Sequence, residues 1–313
     1  MDEFDIVVIG AGVAGLSAAA TAARRGARVA VVEKLGAGGQ IMTVERIENF
    51  PGAVEPVAGF ELGPAMQEQA EQAGAEFLLD AVEEVLLDGP ARVLRCSQGE
   101  ITARALIVAA GSSRRALGVP GEERLEGRGV SHCASCDGPL HRGKTVAVIG
   151  GGDSAFDEAL ILATHAGQVL LIHRGESFRA AKPTVEKVSA LENVRICLNS
   201  TVEEIIGDNV VQGLLVRDRI TGASRRESVD GVFVYVGLEP NTDFLKGKLD
   251  LAEDGRVLTD RFMQTSVPGV FAAGDIRHAS VALLAEAAGD GATAAIAALN
   301  YLGEGFEKAR AAE

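Results

Sequence analysis

One pattern occurs twice in the chain and limits what it can fold into. Residues 4–9 form a mostly apolar run, Gly10-Ala11-Gly12-Val13-Ala14-Gly15 follows, and an Ala-rich stretch over 16–25 stops at Gly26. A second apolar run, 28–32, ends at Glu33, which lies 23 residues after Gly10. The same order returns 140 residues later. Residues 145–149, Gly150-Gly151-Gly152-Asp153-Ser154-Ala155, a helical stretch over 156–166, Gly167 and 168–172 repeat it, and His173 again lies 23 residues after the first glycine. Short continuous apolar runs suit strands buried on both faces of a parallel sheet. Each copy therefore predicts strand, tight turn, helix and strand.

The repeat extends beyond these units. Residues 91–96 and 101–104 flank a turn at 97–100 and feed the apolar run 105–110; 210–216 and 228–229 flank a turn at Thr221-Gly222 and feed 231–237. The predicted fold class is α/β: two Rossmann-like nucleotide-binding domains, each a parallel sheet with a β-meander, the second inserted into the first. Turn-rich crossings at 118–121 and 239–241 set the domains at 1–117 with 241–313, and 118–240. Residues from Thr242 onward hold no third copy and return to complete the first domain.

In a strand–GxGxxG–helix unit the first glycine permits the turn. The second lets a pyrophosphate approach the backbone, and the third lets helix and strand pack closely. The phosphates then meet the free N–H groups of the helix start. The residue ending the second strand separates the two copies. Glu33 can accept from a ribose hydroxyl and repels a 2′-phosphate, which suits FAD or NAD. His173 and Arg174, with Arg179 following, offer cationic donors that suit the 2′-phosphate of NADPH.

Composition narrows the partners. Lys and Arg number 30 against 44 Asp and Glu, a net charge of −14, which disfavours nucleic acid and anionic membrane surfaces. The longest uncharged run, 6–23, is broken by glycines and preceded by acids. It reads as neither signal peptide nor membrane span, so a cytoplasmic setting is expected. Four cysteines do not make a disulfide framework. Cys96 and Cys197 sit alone in apolar segments and read as small buried hydrophobes. Cys133-Ala134-Ser135-Cys136 is a C-x-x-C, for which redox chemistry is the leading reading. Half of a zinc site with His132 or His141 is the rival, and no metal is expected. Asp137 reads as a proton donor to a leaving thiolate or as a turn residue.

With these strings assembled, the chain resembles the low-molecular-weight thioredoxin reductase family over about residues 4–302. The resemblance is carried by the first glycine turn, Gly38-Gly39-Gln40, Glu48-Asn49-Phe50-Pro51-Gly52, Cys133-Ala134-Ser135-Cys136-Asp137-Gly138, Gly150-Gly151-Gly152-Asp153-Ser154-Ala155, and the 267–275 string ending in Gly274-Asp275. It implies FAD in the first domain, held by Gly10, Gly12, Val13, Ala14, Gly15, Glu33, Lys34, Gly38, Gly39, Gln40, Asn49, Val82, Gly111, Gly274 and Asp275. It implies NADPH in the second, at Gly152, Asp153, Ser154, Ala155, His173, Arg174 and Arg179. By resemblance Cys136 faces the flavin, Cys133 attacks the disulfide of thioredoxin or a thioredoxin-like protein, and Asp137 handles protons. It also implies a homodimer and two alternating domain orientations.

Two departures matter. The family's His-Arg-Arg string is His173-Arg174-Gly175 here, so one guanidinium is missing. Its loss costs about 1.5–3 kcal/mol of 2′-phosphate binding, which admits NADH as a donor. The family's Arg-Gln is replaced by Ala282-Leu283. The expected activity is hydride transfer from NADPH or NADH to FAD, then electrons to Cys133–Cys136, then dithiol exchange with thioredoxin. The alternative is a related dithiol oxidase, or a reductase of another disulfide carrier fed by a different donor. A flavin-binding redox sensor without turnover ranks last.

Overall fold

The computed structural model describes residues 2–89 and 91–303, so the end of the expected C-terminal segment, 304–313, lies outside the described residues. The chain divides into two compact units, Met1–Ser113 with Glu239–Glu313, and Arg114–Leu238.

The first unit opens with β1 (Asp2–Ile9), α1 (Val13–Arg24) and β2 (Val29–Glu33), followed by α2 (Gly59–Gln72) and β3 (Glu76–Leu79). Strands β4 (Val82–Leu86), β5 (Arg92–Cys96) and β6 (Gly99–Val108) form the meander, and β7 (Ser112–Arg114) leads out. The second unit runs β8 (Val130–Ser131), α3 (Ala134–Asp137), β9 (Thr145–Gly150), α4 (Asp153–Ala163) and β10 (Gln168–Ile172). It continues through α5 (Lys182–Ser189), β11 (Val194–Cys197), β12 (Ser200–Ile206), β13 (Gly213–Asp218), β14 (Ser224–Glu227) and β15 (Gly231–Tyr235). The chain returns through β16 (Leu238–Pro240), which pairs with β7, and ends with β17 (Val270–Ala272) and α6 (Leu284–Leu302).

In the first unit the strand order is β3-β2-β1-β6-β5-β4, with β17 also on β6. The length of β6 makes this possible. Its early residues, Gly99–Ala103, pair antiparallel with β5, and Leu106–Val108 pair parallel with β17. Both sheet faces are buried, as the apolar runs require. Ile6, Val8 and Ile107 pack under the alanines of α1 and α6; Val7, Ile9 and Leu106 pack with Leu245 and Val257. The second unit is a parallel sheet, β11-β10-β9-β15-β8, with Phe156 and Leu162 of α4 on one face. The antiparallel β12-β13-β14 forms a sheet of its own, with Leu214 and Val216 packed toward the other face.

Two local differences from the sequence reading have physical reasons. Helices α1 and α4 each start three residues earlier than expected, at Val13 and Asp153, directly after the glycines that cap them. The last meander strand of the second unit is Ser224–Glu227, before the expected Ser228-Val229. Its three exposed polar residues carry no apolar alternation, and pairing with β13 holds it. Among the described residues no helix is long and apolar enough to cross a membrane.

Candidate functional site

The first glycine turn divides its three roles among three residues. Gly10 has φ +100°, and a Cβ there would lie 2.5 Å from the Ala109 carbonyl oxygen. A Cβ on Gly15 would lie 1.9 Å from the Gly10 oxygen, so helix and turn touch without a side chain. Gly12 is different, because a Cβ there would meet nothing within 4 Å. It faces open space, and it caps α1 without any side chain covering the helix start. This is the shape that a pyrophosphate needs.

Glu33 sits beside that opening. One carboxylate oxygen accepts from the Ala11 N–H at 2.8 Å and the other from the Leu35 N–H at 2.9 Å. The Gly38 N–H donates to the Ala11 carbonyl at 2.8 Å, which brings Gly38, Gly39 and Gln40 onto the same turn. Gln40 Nε2 donates to the Ser112 carbonyl and hydroxyl, both at 3.0 Å. Gln40 and Ser112 each lie 3.5 Å from an Asp275 carboxylate oxygen. Burial raises the Asp275 carboxyl above the usual carboxylate range, with Arg256 opposing. An acid with such long contacts is suited to accept from hydroxyl groups of a ligand.

Gly274 approaches α1, its φ being +77° and a Cβ there lying 2.9 Å from the Ala14 methyl. Its N–H donates to buried Asp290, which also holds Arg277. The Ala282-Leu283 departure falls in this loop, where Glu286 accepts from the Arg277 guanidinium at 2.8 Å and from the Val281 N–H at 2.7 Å. Gly111 (φ +62°) accepts from the Asn241 N–H. Val82 opens β4 opposite Cys96. Lys34 and Asn49 are exposed, and Ile47, two residues before Asn49, is buried against Val13.

The second turn repeats this division. Gly150 is closed by the Tyr235 carbonyl at 2.5 Å and the Ala155 methyl at 2.7 Å from its ideal Cβ position, whereas Gly152 again meets nothing within 4 Å and caps α4. The middle glycine has acquired a neighbour. A Cβ on Gly151 would lie 2.1 Å from His173 Nδ1, so the imidazole lies over the turn. His173 Nε2 is 3.0 Å from the Ser177 carbonyl oxygen, and a Cβ on Gly175 would lie 2.8 Å from that same nitrogen. The Arg179 N–H donates to the Gly151 carbonyl at 2.9 Å, and Asp153 accepts from the Ala181 N–H at 2.7 Å. Arg174, Arg179 and Ser154 are exposed at this rim.

Cys133 and Cys136 are joined as a disulfide with Cα atoms 5.3 Å apart. Cys133 is 8% exposed, whereas Cys136 is exposed. The Cys133 N–H donates to Ser131 Oγ at 3.1 Å, and its sulfur receives the Cys136 N–H at 3.2 Å. Asp137 ends α3, its N–H donating to the Cys133 carbonyl at 3.1 Å. His132 points elsewhere, with Nδ1 3.1 Å from the Val234 carbonyl oxygen and Nε2 3.5 Å from Glu126. His141 is buried with its ring edge-on to Phe233. Among the described residues no group of three or more His, Cys, Asp and Glu side chains is placed to hold a metal. Cys96 and Cys197 are buried free thiols; burial, with Asp80 and Glu83 adding to it, pushes Cys96 up to about 11.

Sequence reasoning missed two residues of these sites. Ser112 sits between Gln40 and Asp275, and Glu158 of α4 accepts the Ala134 N–H of α3 at 2.8 Å. Neither lies in a motif that spacing could expose.

A profile of the pyridine nucleotide-disulphide oxidoreductase family matches residues 4–291. The chain is 39% identical to the thioredoxin reductase of Peptoclostridium acidaminophilum over 97% of its own length and 99% of the relative's. It is 41% identical to that of Mycolicibacterium smegmatis over 96% and 97%. The crystal structure of Lactococcus lactis thioredoxin reductase superposes with a TM-score of 0.92 at 35% identity, covering 96% of this chain and 99% of that one. The chain thus belongs to the low-molecular-weight thioredoxin reductase family of pyridine nucleotide-disulphide oxidoreductases. That family implies FAD and NAD(P)H.

Proposed function

We propose that the chain is an FAD-dependent thioredoxin-disulfide reductase that takes electrons from NADPH and also accepts NADH. The observation that carries this reading is the Cys133–Cys136 disulfide in a unit with a glycine cradle of its own, in a chain whose other unit holds a second cradle. The donor sets fit the implied groups. Open Gly12, uncapped α1, Glu33 and Asp275 suit a flavin dinucleotide, with Gly10, Val13, Ala14, Gly15, Lys34, Gly38, Gly39, Gln40, Asn49, Val82, Gly111 and Gly274 around it. Open Gly152, with Asp153, Ser154, Ala155, His173, Arg174 and Arg179, suits NADPH. When bound, these groups supply two electrons per turnover.

The chain's own residues do the rest. Two electrons and two protons open the Cys133–Cys136 bond to a dithiol. One thiolate attacks a partner disulfide, forms a mixed disulfide and expels a partner thiolate. The second cysteine then attacks the first, releases the reduced partner and restores the intramolecular disulfide. Exposure favours Cys136 as the attacking sulfur, in place of Cys133, to which the resemblance gives that role. Asp137, next to Cys136 in the chain, is the residue to which the resemblance gives the return of a proton to the departing thiolate. Such a pair cycles in a reducing cytoplasm, and the resemblance supports a homodimer.

The test is anaerobic. NADPH or NADH should bleach the flavin and reduce an added thioredoxin, and Cys133→Ser or Cys136→Ser should abolish that coupling while flavin is retained. Bleaching by neither nicotinamide would favour the alternative donor, and coupling that survives both substitutions would remove the dithiol from the pathway.

A further inference from the structure

The four-residue helix α3 has few backbone donors, and two of them have unlike acceptors. The Ala134 N–H goes to the Glu158 carboxylate at 2.8 Å, and the Cys136 N–H goes to the Cys133 sulfur at 3.2 Å. Glu158 lies on α4, five residues after Asp153 at the start of the second cradle's helix. We infer that Glu158 is a positioning residue for the Cys133–Cys136 couple, and that its charge holds the dithiol at a more reducing potential than the turn alone would set. This rests on reading the pair as redox-active.

Once the S–S bond opens, a thiolate on Cys133 is stabilised by the N–H already aimed at it. A carboxylate on the neighbouring donor opposes this, because it places a like charge one residue from the sulfur. Stabilised thiolate makes a couple more oxidising, so an anionic Glu158 makes it more reducing. The surroundings hold the carboxylate in balance. Burial and Asp157 raise its pKa, while the Ala134 N–H, the Tyr235 side chain and Arg114 lower it. The Tyr235 hydroxyl is itself buried, and the Glu158 charge adds to the effect of burial in raising its pKa.

The experiment equilibrates the purified full chain with glutathione buffers at pH 8. In each exchange two glutathiones reduce the disulfide and leave as oxidised glutathione. Acid quenching, alkylation and mass spectrometry then count free Cys133 and Cys136. Glu158→Gln keeps an acceptor for Ala134 and removes the charge. The expected result is a roughly tenfold shift of the equilibrium constant toward dithiol, equivalent to about 30 mV in a two-electron couple, with Glu158→Asp close to wild type. The alkylation rate of the reduced pair at pH 7 should rise in Glu158→Gln as its thiolate fraction grows. A role limited to packing leaves Glu158→Gln at the wild-type constant and rate, and that result overturns the inference. A wild-type pair that does not exchange in any buffer sinks the functional reading and this inference together; equal constants in an exchanging wild type and Glu158→Gln sink this inference alone.

Discussion

Gly12 and Gly15 belong to one motif and make opposite demands on a side chain. A Cβ at 12 meets nothing within 4 Å, whereas one at 15 lies 1.9 Å from a backbone oxygen. Gly12→Val should therefore fold with a Tm near that of flavin-stripped wild type and purify without visible flavin absorbance. Gly15→Ala should lose about 3 kcal/mol, since the backbone must move to admit the methyl group; a yellow, stable Gly12→Val would contradict the pyrophosphate role. The cysteines divide in the same way. With Cys136 exposed and Cys133 buried, Cys133→Ser should accumulate a mixed disulfide with oxidised thioredoxin through Cys136, and Cys136→Ser should not. Non-reducing electrophoresis reads both, and the reverse outcome would return the attack to Cys133. Cys96, raised to about 11, stays a protonated thiol at pH 8, since the shift moves its thiolate population to higher pH. Brief alkylation of the reduced native protein should label exposed Cys136 and spare Cys96, which should become reactive on denaturation. The motif letters announced these glycines and the C-x-x-C. They were silent on which sulfur reaches solvent, because exposure depends on how α3 packs.

Among the elements, the contact between α1 and α6 shows why the alanines of the first helix matter. A Cβ on Gly291 of α6 would lie 2.0 Å from the Ala14 carbonyl oxygen. Ala18, Ala19, Ala22, Ala294, Ala295 and Ala298 are fully buried in the same cluster. Small residues let the two backbones approach, so α6 supports the helix whose start forms the first cradle. Gly291→Ala should cost about 1–3 kcal/mol and weaken flavin retention, read as a lower Tm together with faster flavin release in mild urea. A variant that loses neither would show that the helices can separate freely. The sequence displayed α1, β1 and β2 clearly because apolar runs and glycine punctuation both marked them. It hid β14, whose Ser-Arg-Arg-Glu is held by pairing with β13 and by Arg225–Glu227 and Arg195–Glu227 ion pairs.

At the level of the whole molecule, two copies of one supersecondary unit have diverged at the residue that ends the second strand. Glu33 turns both oxygens to backbone N–H groups beside the first turn, while His173 lies over Gly151 of the second and is held by the Ser177 carbonyl. The 23-residue spacing and the acid-for-base exchange were legible in the letters. The packing of His173 was not: its Nε2 lies 2.8 Å from the position that a Cβ on Gly175 would take. The residues proposed to read a 2′-phosphate, Arg174 and Arg179, are both exposed at the rim. Each charge-assisted contact is worth about 1.5–3 kcal/mol. Arg174→Ala and Arg179→Ala should therefore each raise KM for NADPH roughly tenfold or more. KM for NADH and flavin content should stay at wild-type values, because NADH lacks the 2′-phosphate and the proposed flavin-binding residues belong to the other unit. Wild-type KM for NADPH should also climb with ionic strength while that for NADH holds, since exposed charges are screened by salt. Equal losses for both donors would mean that these arginines support the fold of the rim instead of reading the phosphate, and the preference for NADPH would then have to come from elsewhere in the second unit.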